Sequence, residues 1–232
     1  VQAADTPIVS TGGVAYNIGI PGNSKFTYSD NVTLGGDAGT TNGNPYQNPN
    51  DPNAKGNNIA IGRISLNGSS GGANVALGSK TFLNGKGDYN FLGNFAAGFN
   101  STISNTIAIG SFAGSGATGN KNVWLGTGQA GGSTGNNTVL IGSNSTVDGN
   151  FNYGIGHNAV LKGESNAVVG AYNHVTANNT YVLGDHVDTT LNNAVVLGSH
   201  STAESSDVVN TPSYTYAGGT VNFAGTAPVS TV

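Results

Sequence analysis

Apolar residues in this chain come in short alternating bursts closed by a glycine, and the bursts recur. Asn193-Ala194-Val195-Val196-Leu197-Gly198 returns as Asn179-Thr180-Tyr181-Val182-Leu183-Gly184 and as Asn105-Thr106-Ile107-Ala108-Ile109-Gly110. Bursts this short suit strands; as helix they would carry interior glycines at about 1 kcal/mol each relative to alanine. Taking the closing glycine as an anchor puts Gly19, Gly35, Gly62, Gly78, Gly93, Gly110, Gly126, Gly142, Gly156, Gly170, Gly184 and Gly198 on one ladder. Successive spacings are 16, 27, 16, 15, 17, 16 and 16, then 14 for the last four steps. Fourteen residues accommodate two short strands and two tight turns, which is one coil of a solenoid whose repeats stack on one another. The pattern predicts an all-β solenoid of about 12 stacked coils over residues 1–203.

Each burst has two apolar faces. The residue before the anchor is aliphatic throughout, from Ile18 to Leu197, and two positions earlier come Val32, Ile59, Val75, Ile107, Val123, Val139 and Val195. Side chains two apart share a strand face, so this column is expected to form the core. The opposite face carries Ala60, Ala76, Phe91, Ala108, Trp124, Leu140, Val168, Val182 and Val196. Strands apolar on both sides need cover on both, and a thin roll supplies it on one. The second face is therefore expected to be a seam between subunits, with Phe91, Trp124, Leu140, Val168, Val182 and Val196 as its contacts. The segment after each anchor, such as Ser143-Asn144-Ser145-Thr146, is mostly polar and is expected to face water. The spacing of 27 exceeds 16 by 11, and residues 36–57 hold Pro45, Pro49 and Pro52 among Asn and Gly, so they read as an inserted loop. Beyond Ala203 the period is lost, and residues 204–232 form a separate segment.

Composition adds limits. Gly and Asn contribute 38 and 33 of the 232 residues. Glycine suits turns of positive φ, asparagine tolerates the same region, and stacked Asn side chains can bond from coil to coil. Charged residues are only 8%, with 7 basic against 11 acidic, which argues against a nucleic-acid partner. Without cysteine there are no disulfides or thiolate metal sites. No apolar run reaches the 18 residues of a membrane-spanning helix. No acid–base constellation is visible, so neither an enzyme nor a bound cofactor is expected. His186 and His200 share a phase and should stack about 4.8 Å apart. A solvent-facing ladder is the favoured reading over a metal pair, because the column continues as Tyr172, Asn158 and Asn144 without a carboxylate or third histidine. Phe26, Tyr28 and Tyr46 are candidate ligand contacts, with capping of the open N-terminal end of the roll as the alternative.

The Asn-Ala-Val-Val-Leu-Gly phrase followed by Ser-x-Ser-Thr-Ala resembles the YadA-like head of trimeric autotransporter adhesins of Gram-negative bacteria. That resemblance implies a left-handed parallel β-roll and a homotrimer. Residues 204–232, with Asn222-Phe223-Ala224-Gly225-Thr226-Ala227-Pro228, resemble the insertion such proteins carry in a long neck. It further implies an exported protein at the bacterial cell surface, projecting from the outer membrane on a stalk and membrane anchor outside this chain. Expected partners are extracellular-matrix proteins (collagen, fibronectin or laminin) or a receptor of the carcinoembryonic-antigen-related class. A structural spacer of a phage or surface fibre is the competing expectation.

Overall fold

The computed structural model describes residues 32–35, 38–39, 57–208 and 213–222. Among these the only helical turn is a short 3-10 segment, Ser205–Asp207. Eleven strands, one per coil from Val32–Leu34 to Val195–Ser199, pair in parallel to make one long sheet. At about 4.8 Å per coil the stack is about 48 Å long. A second sheet runs along the other side through Thr146–Asp148, Val160–Lys162, His174–Thr176, Asp188–Thr189 and Thr202–Ala203. In earlier coils it thins to one strand pair, Thr102–Ser104 with Thr118–Asn120, and to single bridges such as Ser70 with Lys86. The chain is a β-solenoid, as the period predicts; the coil closed by Gly19 lies outside the described residues.

The ladder needs one correction. Val75 pairs with Phe91, Ala76 with Leu92 and Leu77 with Gly93, so the residue opposite Gly78 is Asn94 and not Gly93. Asn94 has φ 85, a value asparagine tolerates better than most residues. The coils from Gly62 to Gly142 are then all 16 residues long, and the apparent spacings of 15 and 17 disappear. Phe91 consequently sits one place out of the column to which the pattern assigned it, and Leu92 takes that place.

The second correction exchanges the two faces. Ala60, Ala76, Leu92, Ala108, Trp124, Leu140, Val168, Val182 and Val196 are buried inside the single chain. Val182 is 3% exposed, whereas its neighbours Tyr181 and Leu183 are 54% and 60% exposed. The column expected to be the core therefore points outward, and the column expected to be the seam is the core. The cause is the narrow gap between the two sheets, which small residues fit and close packing fills without voids. Trp124 enters by lying over Gly114, where a Cβ would meet its ring, and its indole Nε1 donates to Thr138 Oγ1 at 3.0 Å. Leu140 reaches into the space left by Gly154. Val147, Leu161 and Val175 close the core from the second sheet.

Buried asparagines tie the coils together. Backbone N–H groups of Asn74, Asn90 and Thr106 donate to Oδ1 of Asn58, Asn74 and Asn90 in turn, at 2.9, 3.1 and 3.1 Å. Asn166 accepts from Thr180 N–H at 3.0 Å while its own Nδ2 donates to the Ala177 carbonyl at 2.6 Å. The first residues of the repeated phrase, Asn105, Asn179 and Asn193, take φ of 52, 55 and 56. Among the described residues one buried side-chain polar atom, Gln129 Nε2, has no partner, and it belongs to the last 16-residue coil.

The insertion leaves the stack intact. Val32 pairs with Ile59 and Leu34 with Ile61, 27 residues apart. Ala38 is fully buried and Gly39 N–H donates to the Ser65 carbonyl at 2.7 Å, so the coil path holds at Gly39. The extra residues of the 36–57 segment thus come after Gly39. At the other end, Ser213–Tyr216 and Gly219–Asn222 form an antiparallel hairpin.

Candidate interaction surface

Alternation in the long sheet gives every coil an outward pair of residues. Ile107 and Ile109, Tyr153 and Ile155, Tyr181 and Leu183 each flank one inward residue, and all six are exposed. Because the strands are parallel and in register, these pairs align into two straight apolar rows. Soluble monomers rarely expose a contiguous apolar patch larger than a few hundred Å². Of the expected seam contacts only Phe91 belongs to this surface; Trp124, Leu140, Val168, Val182 and Val196 lie in the core of the single chain. One sequence signal separates the columns. The buried one contains Ala60, Ala76, Ala108 and Gly154, whereas the exposed one is large and β-branched or aromatic in nearly every coil.

The second sheet presents a different surface. Asp148, Lys162, His174, Thr176, Asp188 and Thr202 point outward and are exposed, as the polarity of this strand predicts. His174 and Asp188 approach to 3.6 Å, and both are mostly in water.

The corner that follows the long sheet carries rings. Phe95 and Phe112 meet edge to face at 5.3 Å between centroids, and Lys80 Nζ lies 5.6 Å from the Phe95 centroid. Further along, His157 meets Tyr172 edge to face at 5.3 Å, Tyr172 stacks on His186 at 4.8 Å, and His186 stacks on His200 at 4.9 Å. The expected ladder of His186 and His200 is present, with Tyr172 as its next rung. Phe95 and Phe112 were not singled out by the sequence pattern, because they follow the strands and belong to no alternation.

Phe26, Tyr28 and Tyr46 lie outside the described residues. In the C-terminal hairpin Tyr214 and Tyr216 are exposed, and their rings are 6.3 Å apart. Among the described residues no three or more His, Cys, Asp or Glu side chains converge as a metal-binding group. No known protein family matches this chain, and no curated protein matches it either.

Proposed function

We propose that the chain is the non-catalytic head of a bacterial surface adhesin, self-associating as a homotrimer and binding a host matrix or receptor protein. The observation that carries this reading is the double row of outward Ile, Leu, Val and Tyr along the long sheet, exposed or half-buried in the single chain. Such a surface is covered in a stable protein, and a second copy fits it well because its rows repeat with the same pitch. Further support comes from the likeness of the Asn193 to Ala203 phrase to YadA-like heads. Collagen, fibronectin, laminin or a carcinoembryonic-antigen-related receptor remain the proposed ligand classes. Weak contacts repeated in three chains gain strength by multivalency. The polar second sheet and the ring-bearing corner stay available to a ligand if the long sheet is the seam.

The test has two arms. Sedimentation equilibrium should give three times the chain mass of 23.1 kDa, and Leu183→Asp should dissociate the assembly while circular dichroism stays β-rich. A binding screen of the purified head against matrix proteins and receptor ectodomains should return at least one saturable partner. A monomeric wild-type protein would remove the trimer; a trimer that binds none of the panel would favour a fibre spacer.

A further inference from the structure

All four histidines of the chain lie between residues 157 and 200, and three of them share one corner of the roll. The closest pair is His186 with His200, whose rings are 4.9 Å apart and within 7° of parallel. Both residues sit at left-handed turn positions, with φ of 55 and 56. Each backbone is pinned to the coil before it: His186 N–H donates to the Ala171 carbonyl at 3.0 Å, and His200 N–H to the Asp185 carbonyl at 2.8 Å. The spacing is therefore set by the solenoid itself and not by a mobile loop.

The column alone offers no carboxylate, but the adjacent one does. Asp185 Oδ2 lies 2.8 Å from His186 Nδ1. An ionised carboxylate can only accept, so the hydrogen resides on Nδ1 and the neutral ring keeps its lone pair on Nε2. Ser199 Oγ lies 2.7 Å from His200 Nδ1 and can accept in the same way. Metal-ligating histidines are held like this, with the second nitrogen donating to a carboxylate or another oxygen. His186 is about half exposed, which leaves a cation free access.

We infer that His186 and His200 form a two-imidazole site for a borderline divalent transition cation, with Asp185 and Ser199 as positioning residues. In the near-parallel stack the in-plane lone pairs run side by side, so an ion about 2.1 Å from each nitrogen requires both exposed rings to turn about their Cβ–Cγ bonds until the two Nε2 atoms converge on it. Tyr172, stacked on the far side of His186 at 4.8 Å, backs that ring on the side away from His200. Water completes the coordination, since no third protein ligand converges among the described residues. Imidazole ligation favours Cu²⁺ over Ni²⁺ and Zn²⁺, and the site has no oxygen cage for Ca²⁺ or Mg²⁺.

Titration of the whole chain with Cu²⁺, followed by calorimetry and by nitrogen hyperfine splitting in electron paramagnetic resonance, tests this. One Cu²⁺ per chain bound through two imidazole nitrogens is expected. Affinity should fall at least tenfold in His186→Asn and in His200→Asn, with little further loss in the double variant. Asparagine is the chosen replacement because it tolerates the left-handed backbone, and circular dichroism verifies the fold of each variant. Asp185→Asn should weaken binding severalfold while keeping the two-nitrogen signature, whereas the double variant His157→Asn, His174→Asn should bind as wild type. Unchanged affinity in the His186 or His200 variants, loss of binding in the His157 and His174 double variant, or the absence of two-nitrogen coordination would each overturn the assignment.

Discussion

Glycine at the end of most bursts is required at two levels. Gly142 has φ 133, a region that side chains other than hydrogen rarely enter, and a Cβ there would overlap the Gly156 carbonyl of the next coil. Gly132 has φ 66 and open space around its would-be Cβ. Gly132→Ala should therefore cost about 1 kcal/mol, and Gly142→Ala more than about 3 kcal/mol because strain and overlap combine. Urea midpoints of the two variants check this, and equal losses would refute the stacking argument. Asn166 makes a second test at this scale. Asn166→Ala strands the Thr180 N–H and the Ala177 carbonyl in the interior, which should cost about 3 kcal/mol.

Strands of three to five residues are too short to be stable alone, so their faces gain meaning from the stack. Val182 and Leu183 are neighbours in sequence with opposite fates. Val182→Asp buries an unpaired charge between the two sheets and should abolish cooperative unfolding of the C-terminal coils, as read by thermal circular dichroism. Leu183→Asp should leave that transition in place. Identical behaviour of the two variants would contradict the assignment of faces. The inserted segment belongs to the same scale. Ala38 and Gly39 follow the coil path, so replacing 40–56 by a Gly-Ser bridge that restores a 16-residue coil should leave the fold intact. The replacement also removes Tyr46, set among prolines that limit the freedom lost on binding. Weaker binding of the physiological ligand by a folded deletion variant is expected, and undiminished affinity would move the contact to the roll itself.

For the whole molecule, the scarcity of charge bears on how the proposed protein ligand would be held. With 18 charged residues in all, 7 basic and 11 acidic, steering by a charged patch contributes little. Exposed pairs such as His174 with Asp188 are screened over about 8 Å at physiological ionic strength. Affinity for a protein ligand should vary by less than about threefold between 50 and 300 mM salt. A loss of tenfold or more, read by surface plasmon resonance, would point to an electrostatic site.

The sequence by itself determined the period, the parallel stacking, the polar second strand and the His186–His200 ladder, because a repeat of fixed length fixes which residues lie above one another. It determined that two apolar faces exist, but not which is inside. Alternation has the same period on both sides of a strand, and only the narrow gap between the sheets selects Ala108, Gly154 and Val182 over Ile107, Tyr153 and Leu183. The place of Asn94 in the glycine column was hidden for a similar reason. Gly93 satisfies the motif, and only the pairing of Leu77 with Gly93 shows that the turn comes one residue later. The contact of Asp185 with His186 likewise depends on two side chains from adjacent columns turning to the same side of a corner, a choice made by the folded backbone and absent from the repeat.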